Sequence, residues 1–144
     1  MNILLVGGKS HFLQLLIEKL NKEGHRIFIL TDEPKSGRPT RKVFETYHFS
    51  YEESCIREVV ESIHPDETIF LGAFDTNYKW AELKTHAGAF SAGLMNVLSA
   101  FVGCSTGRFI YLSSEEVFQQ EFMETIPEDE TPVAVTAKGQ ALAV

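Results

Sequence analysis

The chain has 144 residues, 44% of them apolar and 23% charged, and its 20 acidic against 13 basic side chains leave a formal charge of −7. That length suits one domain able to bury a core. An acidic balance with no basic cluster argues against nucleic acid, whose affinity comes from Lys and Arg neutralising phosphates.

No apolar run approaches the ~20 residues of a membrane helix, and Met1 to Leu5 enter a strand-like run without a basic leader. A cytoplasmic protein is therefore expected. Ile3 to Val6, all apolar and stopped by Gly7-Gly8, fits a strand covered on both faces, as in parallel sheets. Phe12, Leu13, Leu15, Leu16, Ile17 and Leu20 then recur at helical spacing, with Gly24 placed to cap the helix. Arg26 to Leu30 reads as a second strand, and Thr31 to Thr40, carrying Pro34, Gly37 and Pro39, as a loop. Val43 to Phe49 alternates as a third strand. Glu52 to His64 follows a helical period through Cys55, Ile56, Val59, Val60 and Ile63 until Pro65 ends it.

Thr68 to Leu71 is a fourth apolar run, closed by Gly72. Ala81 to Val102 is the longest helix, its stripe of Phe90, Leu94, Val97, Leu98 and Phe101 interleaved with small residues. Phe109 to Leu112 is a fifth strand. Ser113 to Pro132 is polar, and the last dozen residues begin another helix. Cys55 and Cys104 lie in apolar helical patterns without metal-type spacing and read as reduced core residues.

Strands alternating with helices at this spacing predict parallel βαβ units and a doubly wound sheet, one α/β/α domain over residues 1–144. Ligands of such sheets sit at the carboxyl ends of the strands near the switch point. That rim holds Val6-Gly7-Gly8, Leu30-Thr31-Asp32, Leu71-Gly72-Ala73 and Leu112-Ser113-Ser114. A strand entering a helix through Gly7-Gly8-Lys9-Ser10 aims backbone N–H groups and the positive end of a helix dipole at one spot, a geometry that receives phosphate. The same residues also suit a tight turn that binds nothing, and both readings stand.

On these residues the chain resembles the NAD-dependent epimerase/dehydratase family, the extended short-chain dehydrogenases/reductases. The resemblance rests on Asn2 to Gly8 running into Leu16 to Leu20 and Gly24-His25, on Gly93 followed by Asn96-Val97-Leu98 and Ala100, and on Phe109 to Phe118 with its Ser113-Ser114 and Val117-Phe118. It implies a Rossmann-like fold, NAD or NADP as cofactor and a sugar nucleotide as second ligand. Carried over, the pyrophosphate falls on Gly7, Gly8, Lys9, Ser10, His11 and Phe12 and the ribose by Thr31 and Asp32. Gly72 and Ala73 share the rim, with the nicotinamide near Phe74 and Ser114. The helix Ala81–Val102 is implied to pair subunits into a homodimer; the alternative is one side on the sheet and the other partly exposed. The family's substrate-gripping half is missing, and Gln140 to Val144 stop within a helix pattern, as a piece of a longer chain would.

The departures concern chemistry. Leu13 stands where the family's third glycine lets helix and strand pack closely, Thr31 where an acid holds the ribose, His48 near the adenine and Phe90 where an asparagine is usual. Thr136 and Gln140 occupy the catalytic tyrosine and lysine places, and none of the four tyrosines, Tyr47, Tyr51, Tyr78 and Tyr111, is followed at the fourth position by lysine. A tyrosine of pKa about 10 is lowered by a neighbouring ammonium to serve as acid or base. A threonine alcohol beside a glutamine amide has neither the acidity nor the charge. Ser114 keeps the place of the family's catalytic substrate-hydroxyl serine, without the partners that would let it polarise a substrate. The resemblance thus implies dinucleotide binding with the usual hydride chemistry lost. A non-enzymatic interaction module without cofactor is the alternative that Leu13, Thr31, His48, Thr136 and Gln140 motivate.

Elsewhere, His11, His25, His48, His64 and His86 have no metal-ligand spacing and read as helix-end or surface residues. Arg38, Arg41 and Lys42 are placed either to meet an NADP 2′-phosphate or to form a charged loop. Glu115-Glu116 reads as solvated surface.

Overall fold

The computed structural model describes residues 1–7, 11–31, 43–48, 56–71, 83–104, 107–118, 128–129, 131–134 and 136–143, with the backbone alone for 83–87, 115 and 137. Strands β1 (Asn2–Val6), β2 (Arg26–Thr31), β3 (Glu45–His48), β4 (Glu67–Phe70) and β5 (Arg108–Tyr111) form one parallel sheet in the order β3-β2-β1-β4-β5. Helices α1 (His11–Lys22), α2 (Ile56–Ile63), α3 (Leu83–Cys104) and α4 (Ala137–Leu142) accompany them, with a 3₁₀ turn at Glu115–Val117. The architecture is Rossmann-like, as the alternation of apolar runs and helical periods predicts.

The strand order explains the layers. From β1 the chain moves one way to β2 and β3, and then crosses back to β4 and β5 on the other side of β1. Right-handed crossovers running in opposite directions put their helices on opposite faces. Because side chains alternate along a strand, Ile3, Leu5, Ile27, Ile29, Ile69 and Leu71 face α1, which adds Leu13 and Ile17. Leu4, Val6, Phe28, Leu30 and Phe70 face α2, α3 and α4, which add Val60, Phe90, Val97 and Leu142 among others. Central strands covered on both faces need continuous apolar runs, which is what Ile3–Val6 and Ile27–Leu30 supply.

Element boundaries shift where tertiary contacts act. In α1 only Leu13 and Ile17 are buried, while Phe12 and Leu15 of the same apolar pattern lie exposed. Gly24 caps the helix as expected, at φ +78°, where a side chain is strained. The third strand is shorter than Val43–Phe49, beginning at Glu45 opposite Phe28. Helix α2 is described from Ile56, and Cys55 lies outside the described residues. It ends on His64 at φ +46°, whose N–H donates to the Val60 carbonyl at 3.0 Å, with Pro65 next.

Strands β4 and β5 each start one residue earlier than their apolar runs because Glu67 pairs in register with Arg108. Helix α3 continues past Val102 to Cys104. Cys104 is half-buried rather than a core residue, since it sits at the helix end, where its thiol donates to Glu61 Oε1 at 3.4 Å. No helix among the described residues is long and apolar enough to cross a membrane.

Candidate functional site

The reversal of direction in the sheet falls between β1 and β4, so the crevice of a doubly wound fold opens over their carboxyl ends. Hydrogen bonding runs past the strand ends. The Gly7 N–H donates to the Leu30 carbonyl at 3.0 Å, Leu71 to Val6 at 2.9 Å and Leu112 to Phe70 at 2.9 Å. Gly7, Thr31, Leu71 and Leu112 are thereby aligned on one rim. Gly7 is buried and adopts φ +146°, a conformation open to glycine and strained for other residues.

Thr31 is 4% exposed at the end of β2 and pairs in register with His48 of β3. His11 and Phe12 form the exposed start of α1. Leu13 lies within the apolar layer between α1 and the sheet. Phe90 is fully buried, edge-on to Phe70 at 5.7 Å, and belongs to the core. Gly8, Lys9, Ser10, Asp32, Gly72, Ala73 and Phe74 lie outside the described residues, as do Arg38, Arg41 and Lys42.

Beyond β5 the rim continues through Ser114 into the 3₁₀ turn. The Glu116 N–H donates to Ser114 Oγ at 3.3 Å, and the Val117 N–H to the Ser114 carbonyl at 3.2 Å. This turn meets α4. Thr136 is the N-cap of α4, with φ −81° and ψ 152°, and its Oγ1 accepts the Gly139 N–H at 3.0 Å while its hydroxyl donates to Glu116 Oε2 at 3.0 Å. Lys138 Nζ donates to Glu116 Oε1 at 2.8 Å. That ammonium holds the Glu116 carboxyl below the usual glutamate range, burial opposing it and Thr136 assisting. Gln140 is exposed, its amide donating to the Ala134 carbonyl at 3.4 Å. Tyr111 donates to the Leu142 carbonyl at 3.1 Å, and burial pushes its phenol up to about 12.

Glu116 therefore departs from the solvated acid its sequence neighbourhood suggests. Its ion pair spans 22 positions, so no local pattern announces it. Among the described residues, no three His, Cys, Asp or Glu side chains gather as a metal site.

Solved structures share this fold. The chain superposes on UDP-glucose 4-epimerase from Thermotoga maritima, solved with UDP-glucose, with a TM-score of 0.80 and 20% identity over 99% of this chain and 48% of that one. For the Stenotrophomonas maltophila UDP-glucose-4-epimerase with bound NAD and formylated UDP-arabinopyranose, the TM-score is 0.79 at 17% identity, covering 99% and 45%. The Bordetella bronchiseptica enzyme WbmG in complex with NAD and UDP gives 0.73 at 21% identity, covering 98% and 46%. The chain thus spans about half the length of the structures it matches. No curated protein matches its sequence. The model of the NAD dependent epimerase/dehydratase family matches residues 3–137, nearly the whole chain with the switch-point rim inside it, and the protein belongs to that family.

Proposed function

We propose that residues 1–144 form a cofactor-holding domain that binds NAD or NADP across the carboxyl ends of β1, β2, β4 and β5, within a protein of the sugar-nucleotide epimerase, dehydratase or reductase kind. One observation carries this reading: Gly7, buried at φ +146°, sits at the switch point just before the twelve-residue α1. A bare backbone there lets a pyrophosphate approach, and the start of α1 adds N–H donors and a favourable dipole. Gly7, Gly8, Lys9, Ser10, His11 and Phe12 would hold the pyrophosphate, and Thr31 and Asp32 the ribose. Gly72 and Ala73 would share the cofactor rim, with the nicotinamide near Phe74 and Ser114. When bound, the nicotinamide would supply the hydride donor or acceptor. NAD and UDP-sugars in the matched structures support a dinucleotide and a sugar nucleotide as the ligand classes.

In this reading the family's tyrosine–lysine route is lost. The proton of the Thr136 hydroxyl is committed to Glu116 and one lone pair to capping α4, and Gln140 carries no charge with which to stabilise an anion. A second reading, a scaffold that binds no cofactor, is favoured by the burial of Leu13 between α1 and the sheet. Calorimetric titration with NAD⁺, NADH, NADP⁺ and NADPH separates the two: micromolar binding of any one is expected, and silence with all four supports the scaffold. Gly8→Asp should abolish binding through bulk and like charge, and unchanged affinity would refute the placement. We further assign the subunit contact of a homodimer to α3, which leaves Met95 and Val102 exposed. Sedimentation showing only monomer at high concentration would remove it.

A further inference from the structure

We infer that Glu116 is a positioning residue: it clamps the turn carrying Ser114 to α4 and so fixes the place of the Ser114 hydroxyl on the rim. Three parts of this one residue are engaged at once. Its backbone N–H donates to Ser114 Oγ. Both oxygens of its carboxylate are held from α4, one by Lys138 Nζ and the other by the Thr136 hydroxyl. Its carbonyl lies so close to Gly139 that a methyl group built there would come within 1.9 Å of the oxygen.

An exposed ion pair alone contributes little. Here the charge-assisted bonds are doubled on one carboxylate and joined to a packed backbone contact. Helix α4 is itself anchored below, by Leu142 in the core and by the Tyr111 hydroxyl on the Leu142 carbonyl. The position of the rim turn is thus set from the core through α4 and Glu116.

The consequence is chemical. One lone pair of the Ser114 oxygen is taken by the Glu116 N–H, and among the described residues its proton is donated to none, so the hydroxyl keeps its donor for a group that meets it. That donor suits an acceptor on the ligand, a carbonyl or hydroxyl oxygen. This consequence rests on the proposed reading of the rim as a nucleotide site; the clamp does not.

Amide hydrogen exchange on the intact protein tests the clamp without any ligand. Lys138→Met removes the ammonium and keeps the stem. It should speed exchange at the Glu116, Val117 and Gly139 amides roughly three- to tenfold while β1 and α1 keep their protection. Lys138→Arg should restore the native rates. Wild-type rates at Glu116 and Val117 in Lys138→Met would overturn the inference, as would equal acceleration throughout the chain. Ser114→Ala should itself speed the Glu116 amide, and combining it with Lys138→Met should add little; full additivity would also overturn the clamp. Titration with NAD⁺ reads the other question. Because Ser114 lies near the nicotinamide in that reading, Lys138→Met should weaken NAD⁺ several-fold, and an unchanged affinity would overturn the chemical consequence. Absence of binding by the unaltered protein refutes the nucleotide reading and leaves the clamp to be judged on its exchange rates.

Discussion

Replacing Gly139 by alanine should destabilise this protein, against the usual sign for a glycine within a helix. In an open helix the change gains about 0.8–1 kcal/mol, because alanine loses less backbone freedom on folding. At Gly139 the new Cβ would lie 1.9 Å from the Glu116 carbonyl oxygen, 2.7 Å from its carbon and 3.0 Å from Thr136 Oγ1. The first two are backbone atoms of the 3₁₀ turn, so no rotamer change can relieve them, and α4 and the turn must part by about 1 Å. Overpacking of this kind costs about 1–3 kcal/mol, and the separation also stretches the Thr136 and Lys138 hydrogen bonds, each contributing about 0.5–1.5 kcal/mol.

Net of the propensity gain, a loss of about 2 kcal/mol is expected, a fall in Tm of roughly 4–8 °C for a chain of this size. Gly88→Ala is the control. Gly88 is exposed within α3, and no atom of the described residues lies within 4 Å of a Cβ built there. That variant should gain about 0.8 kcal/mol. Thermal melts followed by circular dichroism report both. A Gly139→Ala protein as stable as the parent, or stabilised like Gly88→Ala, would refute the packing of α4 on the Glu116 turn.

Thr68 is fully buried on β4, and its hydroxyl has no hydrogen-bond partner among the described residues. An unpaired buried hydroxyl costs about 1–3 kcal/mol, so Thr68→Val should stabilise by about 1 kcal/mol in urea unfolding; a loss of stability would mean that an ordered water pairs the hydroxyl. Tyr111 offers a pH test. Its phenol is raised to about 12 by burial, so the protonated form is favoured by folding. The stability this contributes is complete below the ordinary tyrosine value of about 10 and is lost as pH climbs from there toward 12. Tyr111→Phe should cost about 1 kcal/mol at pH 7 through the lost bond to Leu142. The gap between the two proteins should close above pH 10, and a gap constant from pH 7 to 12 would contradict the burial argument.

Legibility in the chain follows the range of the interaction. Ile3–Val6 and Ile27–Leu30 announce central parallel strands because burial on two faces demands uninterrupted apolar runs, and Gly24 announces a helix end because φ +78° excludes most side chains. The alternation of these signals was enough for the fold and for a rim at the strand ends. Exposure of Phe12 and Leu15 was not legible, since periodicity marks an apolar stripe and says nothing of which part the sheet covers. Nor was the start of β4 and β5, which the Glu67–Arg108 register sets across two strands.

At the candidate site the division is sharper. Gly7, Thr31 and Ser114 could be placed on a common rim from strand order alone, and in the proposed reading the threonine and glutamine at 136 and 140 lack the acidity and charge of a tyrosine–lysine pair. That Glu116 is gripped at both oxygens and that Gly139 touches a backbone carbonyl depend on two segments meeting after the chain has folded. Residues adjacent in the chain declare their conformational needs locally, whereas partners some twenty positions apart are chosen by packing, which no window of sequence contains.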